Sequence, residues 1–265
     1  MAWFWWTISI ILTGKTHLLM THLYRAAGFL LLFSIQTYEI HAQITDPVAT
    51  EVWEPEPRTV TPSPESAAPS DAIVLFDGTN AKHWEHANGT QVQWVIEDGV
   101  MTVVGGTGSI FTKEKFGDCQ LHLEWRAPEV IEGDGQGRGN SGVFLQNRYE
   151  VQILDNYENK TYSNGQASSI YKQSIPLVNA MSPPGKWNSY DIIFKAPTFN
   201  ADGVRISPGY ITVLHNGVLT QNHTEIKGTT EYIGLPNNQA HGEDVIQLQD
   251  HSNPVSYRNI WLRRL

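Results

Sequence analysis

The chain has 265 residues, of which 40% are hydrophobic and 17% charged, so it can form one large domain with a sizeable core. Its formal net charge of −9 argues against a nucleic-acid partner, because binding to phosphates requires a basic surface. Cys119 is the only cysteine, which excludes an intrachain disulfide and zinc sites built on paired cysteines.

The first 43 residues have the layout of a secretory signal peptide. Arg25 is followed by an apolar run over 26–35, which is too short to span a bilayer, and by a polar stretch with Ala42 near its end. We expect translation to begin at Met20 and cleavage to occur near Ala42. The mature protein would then be secreted or periplasmic and would have no membrane span. An uncleaved anchor made from the apolar runs 2–12 and 26–35 is the alternative.

Residues 44–70 are predicted to be a disordered linker. Prolines recur in this stretch among Thr, Ser, Glu and Ala. Such a composition cannot bury enough apolar surface to fold, and proline keeps the backbone extended. The stretch therefore acts as a tether for a domain that comprises residues 71–265.

From residue 71 onward, short alternating runs are separated by Gly, Asn, Asp and Pro, with Asx-Gly turns at 77–78, 98–99 and 216–217. No window of a dozen residues has a convincing 3.6-residue period. Regularly spaced short strands with almost no helix predict an all-β domain, a two-sheet sandwich or jelly roll. The strands are predicted at 73–76, 93–96, 100–104, 119–126, 143–146, 149–154, 189–195, 210–214, 218–222, 245–249 and 257–263.

Three of these strands carry polar residues at every second position, and alternate side chains of a strand point to the same face. If the three strands belong to one sheet, the polar sets line a common outer face, and curvature makes that face a cleft. The same residues are also compatible with a solvated sheet face, on which charged pairs contribute little. The polar residues are His122, Glu124 and Arg126 on the first strand, Glu150 and Gln152 on the second, and Gln247, Gln249 and His251 on the third.

Five segments resemble the 3-keto-disaccharide hydrolase domain family. In chain order, from about residue 73 to 265, they are LFDGTN, GNSGVFLQNRYEVQILDNY, GQASSIYKQSIPLVNAMSPPGKWNSYDIIFKAP, HNGVLTQNH and LQDHSNPVSYRNIWLRRL. The resemblance implies a concanavalin A-like jelly roll of two antiparallel sheets, secreted or periplasmic, which cleaves sugars already oxidised at C3. The usual LQDHG appears here as LQDHS, so Ser252 replaces a glycine, which bears on the turn geometry and not on the site.

A ketone at C3 acidifies the hydrogen on C2 and places the glycosidic oxygen β to the resulting carbanion. Elimination followed by addition of water gives net hydrolysis, and it requires a base, a group that stabilises the enolate, and an acid. We assign His251 as the base because imidazole ordinarily titrates near neutrality. Glu150 is the alternative base, or a ligand with His251 of a possible divalent metal ion. Arg126 or that ion would hold the enolate oxygen, and Gln152 and Gln249 would bind hydroxyls.

Further candidate substrate-binding residues come from the turn, the strands and the loop around this predicted face. They are Glu124, Asn140, Gln146, Tyr171 and Gln247. The expected partner is a glycoside or oligosaccharide oxidised at C3.

Two other functions fit the same residues. A conventional glycosidase would use two carboxylates, Glu124 and Glu150, and would cleave unoxidised sugars. A non-catalytic carbohydrate-binding module would stack sugars on aromatic faces such as Trp187 and Tyr171, and nine Trp and ten Tyr supply many such faces. The position of Trp187 at the start of a strand favours a core role for that residue.

Overall fold

The computed structural model describes residues 45–62 and 67–265. The predicted signal peptide, residues 1–43, lies outside the described residues. The chain divides into two units, Met1–Arg58 and Thr59–Leu265. Within the first unit, the described residues are solvent-exposed and include one 3-10 turn at Pro47–Thr50, in which the Asp46 side chain accepts a hydrogen bond from the Val48 amide. No helix among the described residues is long and apolar enough to cross a membrane.

The described part of the second unit is built from fifteen short strands and two 3-10 turns, Gly135–Gly137 and Ser163–Gly165. The strands are β1 Ile73–Phe76, β2 Trp84–His86, β3 Val95–Glu97, β4 Val100–Thr102, β5 Ile110–Thr112, β6 Cys119–Arg126, β7 Ser141–Leu145, β8 Tyr149–Ile153, β9 Asn188–Lys195, β10 Thr198–Phe199, β11 Arg205–Ser207, β12 Gly209–His215, β13 Val218–Ile226, β14 Gln247–Leu248 and β15 Ser256–Arg264.

The strands form a β-sandwich jelly roll, so the predicted fold class is confirmed. An eight-stranded sheet has the order β13-β12-β9-β6-β15-β4-β3, with β1 paired to β15, and a five-stranded sheet has the order β2-β5-β14-β7-β8. All pairings are antiparallel, and β10 and β11 form a separate two-stranded ribbon.

The core contains buried apolar side chains from both sheets. In β12 every second residue is buried, the pattern of a strand that packs one face against a core. Two buried hydrogen bonds also join the sheets: the Tyr190 hydroxyl donates to the Gln152 carbonyl at 2.7 Å, and the hydroxyls of Ser141 and Tyr257 lie 2.6 Å apart. The inner faces are therefore fixed relative to each other, which also fixes the outer face of the small sheet.

The three polar strands do not belong to one sheet, so that expectation is wrong. β6 lies in the large sheet, whereas β8 and β14 lie in the small one. The inner residues of β6 pack in the core, so Glu124 and Arg126 project from the side of the sandwich opposite to β8. Glu124 accepts a hydrogen bond from Arg258 at 2.6 Å, and the Arg126 guanidinium lies 4.8 Å from the ring centre of Trp187.

The structure also differs from the sequence-based boundaries at the shortest elements. β2, β5, β10 and β11 were not predicted, because two or three residues are too few to establish an alternating pattern. The predicted strand at 245–249 is reduced to the two residues of β14. The other predicted strands are present, with ends that shift by a few residues.

Candidate active site

The outer face of the small sheet carries the polar residues of β8. Tyr149, Val151 and Ile153 point into the core, which turns Glu150 and Gln152 outward. Gln152 pairs across the sheet with Gly142. A Cβ atom at Gly142 would lie 2.5 Å from the Glu150 Oε1 atom, so the absent side chain leaves room for the carboxyl group.

Glu150 and Gln152 line a cavity of about 560 Å³. The structure brings together six of the residues selected from the sequence: Asn140, Glu150, Gln152, Tyr171, Gln249 and His251. The remaining lining residues, which sequence reasoning missed, are Gln136, Gly137, Phe144, Tyr162, Lys172, Thr230 and Tyr232.

Four selected residues do not line this cavity. Arg126 and Glu124 lie on the large sheet, as described above. Gln146 is buried at the end of β7, where its side-chain amide donates to the Phe116 carbonyl at 3.1 Å, so it serves the fold. Gln247 is half-buried on β14, paired with two phenylalanines of the neighbouring strands. The alternating pattern predicts the face of its strand that a side chain occupies, but it does not predict how far that side chain lies from the cavity.

Glu150 is buried in the cavity wall, and this burial raises the pKa of its carboxyl group from the ordinary 4.5 to about 8. Its backbone amide donates to the Thr230 hydroxyl at 3.0 Å, which holds the strand against the loop that follows β13. At neutral pH the carboxyl group is mostly protonated. It can therefore donate a proton to a departing oxygen.

The raised pKa of Glu150 also predicts how stability depends on pH. Between about pH 4.5 and pH 8 the folded protein keeps a proton that the unfolded chain releases, so this group destabilises the fold progressively as the pH rises. Glu150→Gln should remove this pH-dependent loss. The free energy of unfolding of the variant minus that of the parent protein should therefore be several kcal/mol larger at about pH 9 than at about pH 5.

Urea denaturation of both proteins at the two pH values measures this difference. Replacement of the solvent-exposed Glu97 by Gln is the matched control and should leave the pH dependence of the parent protein unchanged. Parallel pH profiles for Glu150→Gln and the parent protein would contradict a carboxyl group that is neutral in the fold.

His251 is exposed at the rim of the cavity, on a turn that its neighbours hold in place. One oxygen of Asp250 accepts hydrogen bonds from the amides of Gly106 and Gly108 at 2.8 and 2.9 Å, and the other accepts one from Ser252 at 2.8 Å. Ser252 has φ +64°, so the turn keeps a left-handed conformation that glycine favours. Asp250, which does not line the cavity, thus holds the turn from which the His251 side chain projects.

Lys172 and three tyrosines form a second wall of the cavity. The Lys172 ammonium lies 4.4 Å from the ring centre of Tyr232 and 5.7 Å from the rings of Tyr162 and Tyr171, and it donates to the Tyr232 carbonyl at 2.5 Å. The hydroxyls of Tyr162 and Tyr171 are 2.5 Å apart. Burial raises the pKa of both phenols, so they stay neutral beside the lysine.

Among the described residues that line the cavity, Lys172 is the only lysine or arginine. It lies in an irregular segment that covers the free edge of β8, where the Tyr171 amide donates to the Glu150 carbonyl at 3.1 Å. This segment has no periodicity from which its position could be predicted. The available signal was the pair Tyr171-Lys172 within one of the motifs that carry the family resemblance.

Amide side chains form the remaining polar wall. Gln152 donates to the Gln136 side chain at 3.0 Å, and Asn140 donates to the Gln136 carbonyl at 2.6 Å. Among the described residues, Gln249 has a buried Oε1 atom without a hydrogen-bond partner. A buried acceptor of this kind costs free energy unless a ligand satisfies it, so a sugar hydroxyl is a suitable partner.

A divalent metal ion would find few ligands in this cavity. Within residues 45–62 and 67–265, no three His, Cys, Asp or Glu side chains are grouped to hold one. Glu150 and His251 both line the cavity, and Gln249 could add an amide oxygen, a donor that hard cations accept. These three residues are the donor set that a metal ion would use here.

Comparison with known proteins agrees with the family resemblance of the five sequence segments. Residues 71–263 match the family model of the 3-keto-alpha-glucoside-1,2-lyase-like domain. A proposed glycosyl hydrolase from Parabacteroides distasonis ATCC 8503, of known structure, is 53% identical, with a TM-score of 0.80 over 83% of this chain and 97% of its own. Search of the curated proteins found no match.

Two further proposed glycosyl hydrolases from the same organism share the fold at lower identity. One is 20% identical, with a TM-score of 0.54 over 74% of this chain and 94% of its own. The other is 21% identical, with a TM-score of 0.51 over 73% of this chain and 99% of its own.

Proposed function

Because the chain belongs to the family of 3-keto-alpha-glucoside-1,2-lyase-like domains, we propose that its cavity cleaves glycosides already oxidised at C3. Family membership and the 53% identical structure support a carbohydrate-active protein of the glycosyl hydrolase or lyase kind. The finer proposal depends on one observation: an imidazole, a carboxyl group with a raised pKa and an ammonium group line the same cavity.

These three groups match the needs of an elimination. The His251 imidazole takes the proton from C2, and the electron pair moves onto O3 as an enolate that the Lys172 ammonium stabilises. The C1–O bond then breaks, Glu150 protonates the departing oxygen, and a 1,2-unsaturated 3-keto sugar remains.

Addition of water completes the net hydrolysis. Water attacks C1, the Glu150 carboxylate takes its proton, and the protonated His251 returns a proton to C2. The product is the free 3-keto sugar, and both side chains regain their starting protonation states. Gln249 and Asn140, with their amide groups in the cavity wall, would bind hydroxyls of the sugar.

Lys172 takes the role that the sequence-based mechanism gave to Arg126. Replacing it with methionine keeps an unbranched apolar stem and removes the charge, so kcat/KM for a 3-keto-glucoside should fall by about 10²-fold. Steady-state kinetics on the purified variant measure this loss. Lys82→Met is the matched control on another part of the surface and should keep the parent rate. An unchanged rate in Lys172→Met would exclude an enolate-stabilising role.

The conventional glycosidase alternative lacks its second carboxylate. Among the described residues that line the cavity, Glu150 is the only Asp or Glu, and Glu124 lies on the other sheet. Both retaining and inverting mechanisms normally need two carboxyl groups that flank one bond. The binding-module alternative requires no proton transfer, and it gives no reason for a carboxyl group with a raised pKa in the cavity.

The proposed function is tested by incubating residues 44–265 with methyl α-glucoside and with its 3-keto form, with and without a chelator. The proposal predicts release of methanol from the 3-keto form alone. Cleavage of both substrates would favour a conventional glycosidase, and binding without cleavage would favour a binding module. Loss of activity with chelator would assign part of the chemistry to a metal ion.

We also propose that the protein is exported, on the basis of the signal-peptide layout of its first 43 residues. Export with cleavage after Ala42 would make Gln43 the first residue of the mature chain. N-terminal sequencing of the protein from the producing cell tests this, and a chain that keeps residues 26–35 would contradict it.

A further inference from the structure

An exposed apolar tip lies beside the cavity, on the loop of residues 229–237, which we term the rim loop. Tyr232 is 72% exposed, Ile233 82% and Leu235 88%. Exposed apolar side chains grouped on one loop of a folded protein commonly mark a binding site. We propose that the rim loop binds an apolar aglycone, an alkyl or aryl group attached at C1 of the sugar, and this inference rests on the proposed function.

The rim loop is held closed at its neck. The Thr229 amide and hydroxyl donate to the Asn237 carbonyl at 2.8 and 3.0 Å, and the Asn237 side chain donates to Glu231 at 3.0 Å. Gly228 has φ +152°, and a Cβ atom there would overlap the Asn237 backbone. The apolar tip is therefore presented in a defined position, which reduces the ordering cost of binding.

The base of the rim loop is part of the cavity wall. The Thr230 amide donates to the Arg148 carbonyl at 2.8 Å, and the Thr230 hydroxyl accepts from the Glu150 amide at 3.0 Å. The Tyr232 carbonyl accepts a hydrogen bond from Lys172. The loop is thus bonded to the strand of the acid and to the residue that would hold the enolate.

This arrangement divides the surface by chemistry. The cavity contains amides, a carboxyl group and an ammonium group, which suit a sugar. The adjoining tip carries Ile233 and Leu235, and because only Gly234 lies between them, no polar side chain separates the two. A second sugar would need hydrogen-bond partners at that tip. An alkyl or aryl aglycone needs only apolar area, which is what the rim loop supplies.

Kinetics with methyl and octyl 3-keto-α-glucosides test the inference. In the parent protein kcat/KM should be at least about tenfold higher for the octyl substrate, because burial of two methylene groups corresponds to about that gain. Ile233→Ser/Leu235→Ser should lose the preference and keep the parent rate on the methyl substrate. Val95→Ser/Leu265→Ser, which also removes two exposed apolar side chains, should keep the preference.

A binding measurement separates this inference from the proposed function. Calorimetry with unoxidised methyl and octyl α-glucosides, the latter below its micelle concentration, reports the aglycone preference without turnover. An octyl preference that disappears in the Ser/Ser variant supports the inference even if no 3-keto substrate is cleaved. Turnover of the methyl substrate without any octyl preference in kinetics or binding would overturn the inference and leave the proposed function intact.

The alternative occupant of the exposed tip is a second copy of the chain. Sedimentation analysis of the parent protein and of the Ser/Ser variant distinguishes this case. A dimer that dissociates in the variant would assign the rim loop to self-association and overturn the aglycone site, whereas monomers in both agree with it.

Discussion

Replacing His251 with alanine is expected to lower kcat on methyl 3-keto-α-glucoside by about 10²- to 10⁴-fold, the usual contribution of a positioned proton-transfer group. His251 lines the cavity at its rim and is the only histidine among the described residues that does so. Without it, no imidazole can take the C2 proton. Steady-state kinetics at neutral pH measure the loss, and circular dichroism verifies that the variant is folded.

Two controls make the His251 result specific. His223 is another exposed histidine, and it stacks on Tyr210 on the large sheet, so His223→Ala should retain the parent rate. Because position 251 is exposed, added imidazole can reach the vacated place and should restore part of the activity of His251→Ala. A variant with nearly parental kcat would remove His251 from the mechanism and favour Glu150 as the base.

Replacing Glu150 with glutamine is expected to affect substrates according to their leaving groups. An alkoxide needs a proton as it departs, so kcat on methyl 3-keto-α-glucoside should fall by about 10²- to 10⁴-fold. A 4-nitrophenolate ion is stable without a proton, so the rate on the 4-nitrophenyl substrate should fall by less than about tenfold. Comparison of the two substrates in the parent and variant proteins measures this split.

The pH dependence gives a second signature of the same acid. In the parent protein the rate on the methyl substrate should decline as the pH rises through about 8, because the Glu150 carboxyl group loses its proton there. Glu97→Gln should keep both this decline and the parent leaving-group pattern. Equal losses on both substrates in Glu150→Gln would instead indicate a base or a metal ligand at this position.

The strand pattern predicted the faces of individual strands and not the choice of sheet. β6 and β8 both alternate apolar and polar residues, and both have their apolar residues in the core. Which strands pair is decided by contacts between distant parts of the chain, such as β6 with β9 and β15. For this reason Glu150 and Gln152 were placed correctly at an outer face, whereas Arg126 was assigned to the wrong one.

Periodicity could not predict the ammonium group of the cavity, that of Lys172, for a related reason. Lys172 and Tyr232 project from irregular segments whose course depends on hydrogen bonds to the edge of β8 and within the rim loop. No spacing in the sequence shows that these two segments meet. The turn of His251 was accessible from sequence because it directly follows β14, whose neighbour β7 pairs with β8.

The fate of the hydrogen on C2 tests the central claim most directly. Methyl 3-keto-α-glucoside is cleaved by the protein in D₂O, and the sugar product is analysed at once by NMR, with an enzyme-free sample to correct for spontaneous exchange. Elimination moves the C2 hydrogen onto the exposed imidazole of His251, where it exchanges with solvent before a proton returns to C2, so the product carries deuterium at C2 or is the 1,2-unsaturated sugar. A product that keeps its original hydrogen at C2 would mean that the glycosidic bond is displaced directly, and it would contradict the account.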